Sequence, residues 1–304
     1  MFDQVVQNKR RTALLIVVFL ILTVAVFAVV FRMMRFGSGA IVLAVLLGGG
    51  TAFLSYWLSD RIALMMSQAR PASPEEYARL HNLVEGLCIA GGLPKPRIYI
   101  VEDTAPNAFA TGRNPANAAI AVTTGLLAKM NRAELEGVLA HELAHIKNYD
   151  ILVSTLAVTM VGMISIVSDL SMRMRWYGGS RDNDRDNDRD GGGLGALLGI
   201  LGVVLLVAAP LLAQLMQFAV SRNRETLADF SGAELTRYPP GLISALEKLR
   251  DDQTVVTSHS RATAHLWIES PLPREKAEGR LSRLNKMFDT HPPLDERIAA
   301  LRAL

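Results

Sequence analysis

Two uncharged apolar runs near the start of the chain set the strongest limit on how it can fold. Ala13–Phe31 and Ala40–Leu58 are each nineteen residues long and contain no charged side chain. At ~1.5 Å per helical residue, either is long enough to cross ~30 Å of hydrocarbon. A cleaved signal peptide carries an apolar core of only about 7–15 residues, ended by a small-residue cleavage site. Here a second run follows at once, so a retained transmembrane hairpin is expected. Gly48-Gly49-Gly50 in the second run suits close helix contact in lipid. Ile151–Ser168 and Ala196–Val220, of 18 and 25 residues, are expected to form a second hairpin. Helices buried in a protein core would have the same composition.

These runs explain why a 304-residue chain is 50% hydrophobic, with a mean hydropathy of +0.24. The rest reads as ordinary polar, globular sequence. Cys88 is the only cysteine, which excludes a disulfide-stapled scaffold and suits a small core residue in a reducing compartment. A net charge of +3 is too small to point to nucleic acid. Without a GxxxxGK[ST] loop, no ATP is expected as a partner. The first eleven residues carry three Lys or Arg, the 32–39 connection two, and the two large polar segments the most, which favours both termini and both large polar segments in the cytoplasm. The connection Ser180–Gly193 is an Arg/Asp repeat. Asp186, Asp188, Asp190 and Gly191 mimic the start of a calcium loop, but Leu197 stands where its bidentate Glu belongs, so a solvated loop is expected.

The polar segments have the element order of an α+β fold, mainly α. Ser73-Pro74-Glu75-Glu76 has the form of a capping box, and Tyr77, Leu80, Val84 and Leu87 then recur at helical spacing as far as Gly91-Gly92. Arg97–Val101 and Ala118–Thr124 read as strands, with Asn107–Gly112 in the loop between them. The second strand is expected at a sheet edge, where Ala121 would hold an extended peptide by backbone hydrogen bonds and Asn107 would pair with substrate or stabilise a turn. Asn131 caps a further helix with Glu134 at its third position. That helix is expected to continue past Tyr149 into the run that begins at Ile151.

Within it lies His141-Glu142-Leu143-Ala144-His145. Imidazoles four residues apart share a helix face and can reach one metal ion. Glu142 projects about 100° round the helix, able to reach a water beside the metal without ligating it. Catalytic zinc sites use three protein ligands, so a carboxylate on a second helix is needed. Glu225 in Ser221–Asp229 (SRNRETLAD) fits, and Asp229, one turn later, can accept a hydrogen bond from the far nitrogen of a ligating histidine. His291, Arg297, Arg222 and Arg224 are candidates for stabilising the charge that builds on a scissile carbonyl, with His291 before Pro292-Pro293 the first choice. His81, His259 and His265 have no partner spacing and read as surface or structural residues. Polar residues flank the motif, which puts the metal near a membrane surface and not within the bilayer.

HELAH, SRNRETLAD, NAFATG, HPPLDER and the paired apolar spans together resemble the HtpX family of membrane zinc metalloproteases, gluzincins related to the CAAX prenyl proteases. The resemblance extends over nearly the whole chain. It implies a membrane-anchored, zincin-like domain with about four transmembrane helices in a bacterial-type inner membrane, its catalytic part cytoplasmic. It implies one Zn²⁺ per chain held by His141, His145 and Glu225, with Glu142 catalytic. Membrane-protein or unfolded polypeptide substrates, the lipid bilayer as partner and a role in protein quality control are implied as well. The expected divisions are an N-terminal hairpin at 1–60, a first catalytic part at 61–150, a second hairpin at 151–220 and a second catalytic part at 221–304. A CAAX-type prenyl-protein protease and a scaffold that binds zinc only structurally remain as alternatives. An intact Glu142 argues against the scaffold, because a structural site has no use for a base.

Overall fold

The computed structural model describes residues 39–155, 222–252 and 292–304, with scattered positions between 6 and 37 and between 254 and 268. The expected fourth apolar run, the Arg/Asp repeat and His259, His265 and His291 lie outside the described residues, as does most of the third run. Every described position between 13 and 31 is helical. α1 (Ala40–Met66) follows, and Ile41–Met66 is, among the described residues, the one helix long and apolar enough to cross a membrane. A Cβ on Gly48 would fall 2.9 Å from the Val24 Cα, so the first two apolar helices touch backbone to backbone where the glycine run suggested. Thr23 adds a hydroxyl bond to the Gly48 carbonyl at 3.3 Å.

α1 does not stop where its apolar run stops. Ser59 and Asp60 are buried, and Asp60 pairs with Arg97 at 2.5 Å. Ala63 and Leu64 then enter a core cluster with Val101, Ala105, Phe109, Ala119, Ala121 and Trp267. One rigid helix therefore carries the lipid-length segment directly into the packing of the sheet.

That sheet has four strands, β1 (Arg70–Pro71), β2 (Arg97–Val101), β3 (Ala108–Gly112) and β4 (Ala118–Thr123), in the order β1-β2-β4-β3. β2 and β4 run parallel, with Ile98 opposite Ile120, and the other two pairings are antiparallel. Two sequence expectations are corrected here. Ala108–Gly112, read as loop, is a strand whose five residues are all buried; buried on both faces, it shows no alternation of apolar and polar residues to reveal it. β4, expected at an edge, lies between β2 and β3, so Ala121 is fully covered and its backbone belongs to the ladder. The edge strand beside β4 is β3, and its outward groups are engaged at both ends: the Ile268 N–H donates to the Ala108 carbonyl at 3.0 Å and the Gly112 N–H to the Thr155 hydroxyl at 3.1 Å.

The helices after α1 pack on the other face of this sheet, against Ile98, Ile100, Ile120 and Val122. α2 (Ala78–Gly91) begins after Ser73 has accepted backbone bonds from Glu75 and Glu76, and ends on Gly92 at φ 64, where only glycine is unstrained. His81 bonds the Ala72 carbonyl, a structural role. After the short α3 (Thr124–Lys129) comes α4 (Arg132–Lys147), with the full capping box: Asn131 Oδ1 accepts from the Glu134 N–H and Glu134 Oε2 from the Asn131 N–H. Lys248 and Ser244 of α6 (Pro239–Asp251) hold the same buried carboxylate at 2.7 Å each. α5 (Arg222–Thr236) and α7 (Leu294–Arg302) complete the layer.

α4 does not run on into the third apolar run. Asn148 caps it and Tyr149 turns left-handed at φ 60 before a short helical stretch at 150–155. Ile151, Leu152 and Val153 are buried within protein, so the start of that run is core.

α6 crosses α4 at Gly137, where a Cβ would meet the Leu242 nitrogen at 2.7 Å and its Cα at 2.8 Å. Gly137→Ala should force the two helices apart, cost about 1–3 kcal/mol and lower the thermal unfolding midpoint in detergent. Gly86→Ala, which meets nothing within 4 Å on α2, should leave that midpoint unchanged or raise it.

Candidate metal centre

The site forms where α4 and α5 cross. α5 approaches so closely that a Cβ on Gly232 would sit 3.0 Å from the His141 backbone nitrogen. This contact lets the first turn of α5 reach the far end of the α4 motif. The ligand atoms of His141, His145 and Glu225 consequently all lie within 4.8 Å of one another. The two Nε2 atoms are 3.1 Å apart, His141 Nε2 is 3.7 Å from Glu225 Oε2, and His145 Nε2 is 3.6 Å from Glu225 Oε1. Ligands about 2.0–2.1 Å from one tetrahedral ion would be spaced at about 3.3–3.4 Å. Three of the four corners of such a site are thus outlined, by two imidazoles and a carboxylate, the donor set that suits zinc.

The far nitrogen of each histidine faces a buried carboxylate. His141 Nδ1 is 2.9 Å from Asp229 Oδ1, the contact expected from the sequence. His145 Nδ1 is 3.1 Å from Asp150 Oδ2, a partner the sequence reading missed. Each carboxylate is held in turn by a buried arginine. Arg297 donates from Nε and Nη2 to the two oxygens of Asp229, at 2.8 and 2.6 Å, and from Nη1 to the Ile268 carbonyl at 3.2 Å. Arg224 Nε lies 3.0 Å from Asp150 Oδ1. Two His–Asp–Arg chains therefore converge on one point from opposite sides.

Arg297 and Arg224 were candidates for contacting substrate. Both are buried and bonded to carboxylates behind the histidines, which corrects that expectation. The Arg222 side chain and His291 lie outside the described residues. Asn107 is buried in the turn before β3, where its Oδ1 accepts the Ala108 N–H and its N–H bonds the Thr123 hydroxyl. Its position matches the turn-stabilising alternative. Asp150 was legible in principle, as an acid opening a long apolar run needs a partner. The left-handed Tyr149 that swings it under His145 has no sequence signature.

The electrostatics favour a cation. Glu142, Asp150, Glu225 and Asp229 are all buried against, among the described residues, two buried arginines, a formal charge of −2 with both histidines neutral. Burial opposes charge on the His145 ring, yet the carboxylates of Glu225, Asp150 and Glu142 push it up to about 9. Burial likewise opposes ionisation of Asp229, yet Arg297 and His141 hold it down at about 2.

The sequence pattern of peptidase family M48 matches residues 74–304. The protease HtpX homologue of Streptococcus gordonii is 44% identical over 310 residues, spanning the whole of both chains. That of Thermoanaerobacter pseudethanolicus is 41% identical over all of this chain and 98% of its own. Among solved structures, S. mikatae Ste24p aligns with 99% of this chain and 67% of its own, at a TM-score of 0.50 and 16% identity, a likeness of fold.

Asp150→Asn should weaken metal affinity about 10–100-fold, read by competition with a chromogenic chelator, while the fold is kept. Arg297→Gln leaves Asp229 as a buried charge without its guanidinium and should cost about 3–5 kcal/mol. Asp229 is depressed from 3.8, so its stabilising contribution is complete above that value and is lost as pH falls toward 2. Acid unfolding of the metal-free Arg297→Gln variant should accordingly begin at a higher pH than that of the parent.

Proposed function

The chain belongs to peptidase family M48 and is a metalloprotease, and on that premise we propose that it is a zinc-dependent endopeptidase of a bacterial-type inner membrane, cutting misfolded or damaged membrane proteins. The observation that carries the zinc reading is the convergence of His141, His145 and Glu225. The donor set and spacing fit one Zn²⁺ per chain. When bound, zinc supplies Lewis acidity, polarising the scissile carbonyl and acidifying the attacking water.

The chain's own residues do the rest. Asp229 and Asp150 accept from the Nδ1–H groups of His141 and His145, fixing the tautomer in which both Nε2 atoms are free to bind metal. Glu142, buried beside them, takes the proton of the attacking water on its carboxylate and delivers it to the departing amide nitrogen. His291 is assigned the stabilisation of the carbonyl oxygen, on its place before the Pro-Pro step that precedes α7.

The multi-pass topology, with polar segments in the cytoplasm, is supported by α1, by the helical positions between 13 and 31 and by the distribution of Lys and Arg. In this reading the hairpins at 1–60 and 151–220 anchor a catalytic domain contributed by 61–150 and 221–304.

In the detergent-purified chain supplied with zinc, Glu142→Gln should keep the metal and lose casein cleavage about 10²–10⁴-fold. Cleavage equal to the parent's would remove Glu142 from the mechanism. Glu225→Ala should lose both metal and cleavage; unchanged zinc affinity would take Glu225 out of the ligand set.

A further inference from the structure

Along α1, large apolar side chains stand exposed from Ile41 to Leu58, with Ile41 at 69%, Leu46 at 65% and Phe53 at 62%. At ~1.5 Å per residue this stretch covers about 27 Å, close to the thickness of a bilayer's hydrocarbon. The run breaks at Ser59 and Asp60, which are buried against protein, and Met65 is the one large apolar side chain of α1 exposed beyond them. At that boundary Trp57 packs between Phe53 and Tyr56, with ring centroids 5.9 and 6.0 Å away. Aromatic residues of this kind mark the level where hydrocarbon gives way to headgroups.

The sheet meets α1 at the same place. The Arg113 guanidinium stacks over the Trp57 ring, 4.2 Å from its centroid, while Nη1 donates to the Trp57 carbonyl and Nη2 to Asn117 Oδ1. Immediately before Arg113, the Gly112 N–H donates to Thr155 Oγ1, and Thr111 Oγ1 lies 3.0 Å from the same hydroxyl. Thr155 is where the described part of the third apolar run ends, beyond the buried Ile151, Leu152 and Val153. Both apolar segments that flank the catalytic helices are thus tied to one turn, the β3–β4 connection.

We propose that residues 113–117 form a docking turn for lipid headgroups: the phosphate layer of the membrane meets the protein at the Trp57–Arg113 stack, and the half-exposed Arg113 guanidinium donates to lipid phosphates. The proposal rests on the reading of α1 as a membrane span. Its consequence for substrate follows from distance. Asp150 touches His145, and the 150–155 stretch adds only about 7–8 Å before Thr155. The metal site therefore stands just outside the headgroups. It reaches polypeptide that has recently left the bilayer, and it does not reach segments still inside.

A nitroxide attached at Ala116→Cys, in the exposed centre of the turn, tests this. The background is Cys88→Ala, and the full chain is reconstituted in vesicles of phosphatidylglycerol and phosphatidylcholine. Collision with a water-soluble nickel chelate should be several-fold weaker than at a reference label on Ile89→Cys, an exposed position on α2. Arg113→Gln should raise nickel access at Ala116→Cys about fivefold, the factor matching ~1 kcal/mol per basic residue at an anionic surface. Equal nickel access at the two labels would overturn the proposal. So would protection accompanied by spin–spin broadening that vanishes on dilution with unlabelled chain, because a second copy would then cover the turn. Casein cleavage by the same labelled protein separates the two readings. Nickel exposure with cleavage intact overturns only the docking turn, and protection with cleavage absent overturns only the assigned activity.

Discussion

Two imidazole nitrogens 3.1 Å apart do not stay turned toward one another unless their rings are held from behind. In this protein that hold is ionic and buried. Asp229 and Asp150 take the outer nitrogens, and each carboxylate would be costly in the interior without its arginine. Arg297 comes from α7 and Arg224 from the first turn of α5, so positioning two histidines on α4 commits three helices to fixed places. The glycine contacts follow from the same demand. Gly232 lets α5 descend onto His141, and Gly137, one turn earlier, lets α6 close against α4.

The ion pair between Asp150 and Arg224 has a further structural meaning. Asp150 is the residue at which the chain departs toward the third apolar run, and Arg224 lies just after the chain returns. The long insertion between them is fastened at its base, and the fastening bonds directly to a proposed metal ligand.

Much of this was legible in residue order. The HExxH spacing, the Asn131–Glu134 capping box, Glu225 with Asp229 one turn on, and Gly48 as a helix contact all follow from local rules of periodicity, capping and ligand count, and the structure brings those residues together as those rules require. What escaped was non-local or depended on a single backbone angle. β3 is buried on both faces, so no alternation betrayed it, and the error displaced the sheet edge by one strand. Arg224 and Arg297 read from sequence as candidates for stabilising a substrate carbonyl; only the packing of α5 and α7 shows that their charges are spent on Asp150 and Asp229. Tyr149 looks like a helix residue, yet its left-handed turn is what brings Asp150 beneath the site.

Chain order adds a dimension of time. His141 and His145 leave the ribosome eighty residues ahead of Glu225, and Arg297 emerges later still, after both apolar segments of the insertion have been made. A nascent chain halted anywhere in between owns two imidazoles and a base but no third ligand, and Asp229 lacks its guanidinium until α7 has folded back. The proposed site is complete only once Glu225 and Arg297, both beyond the two later apolar runs, have been made.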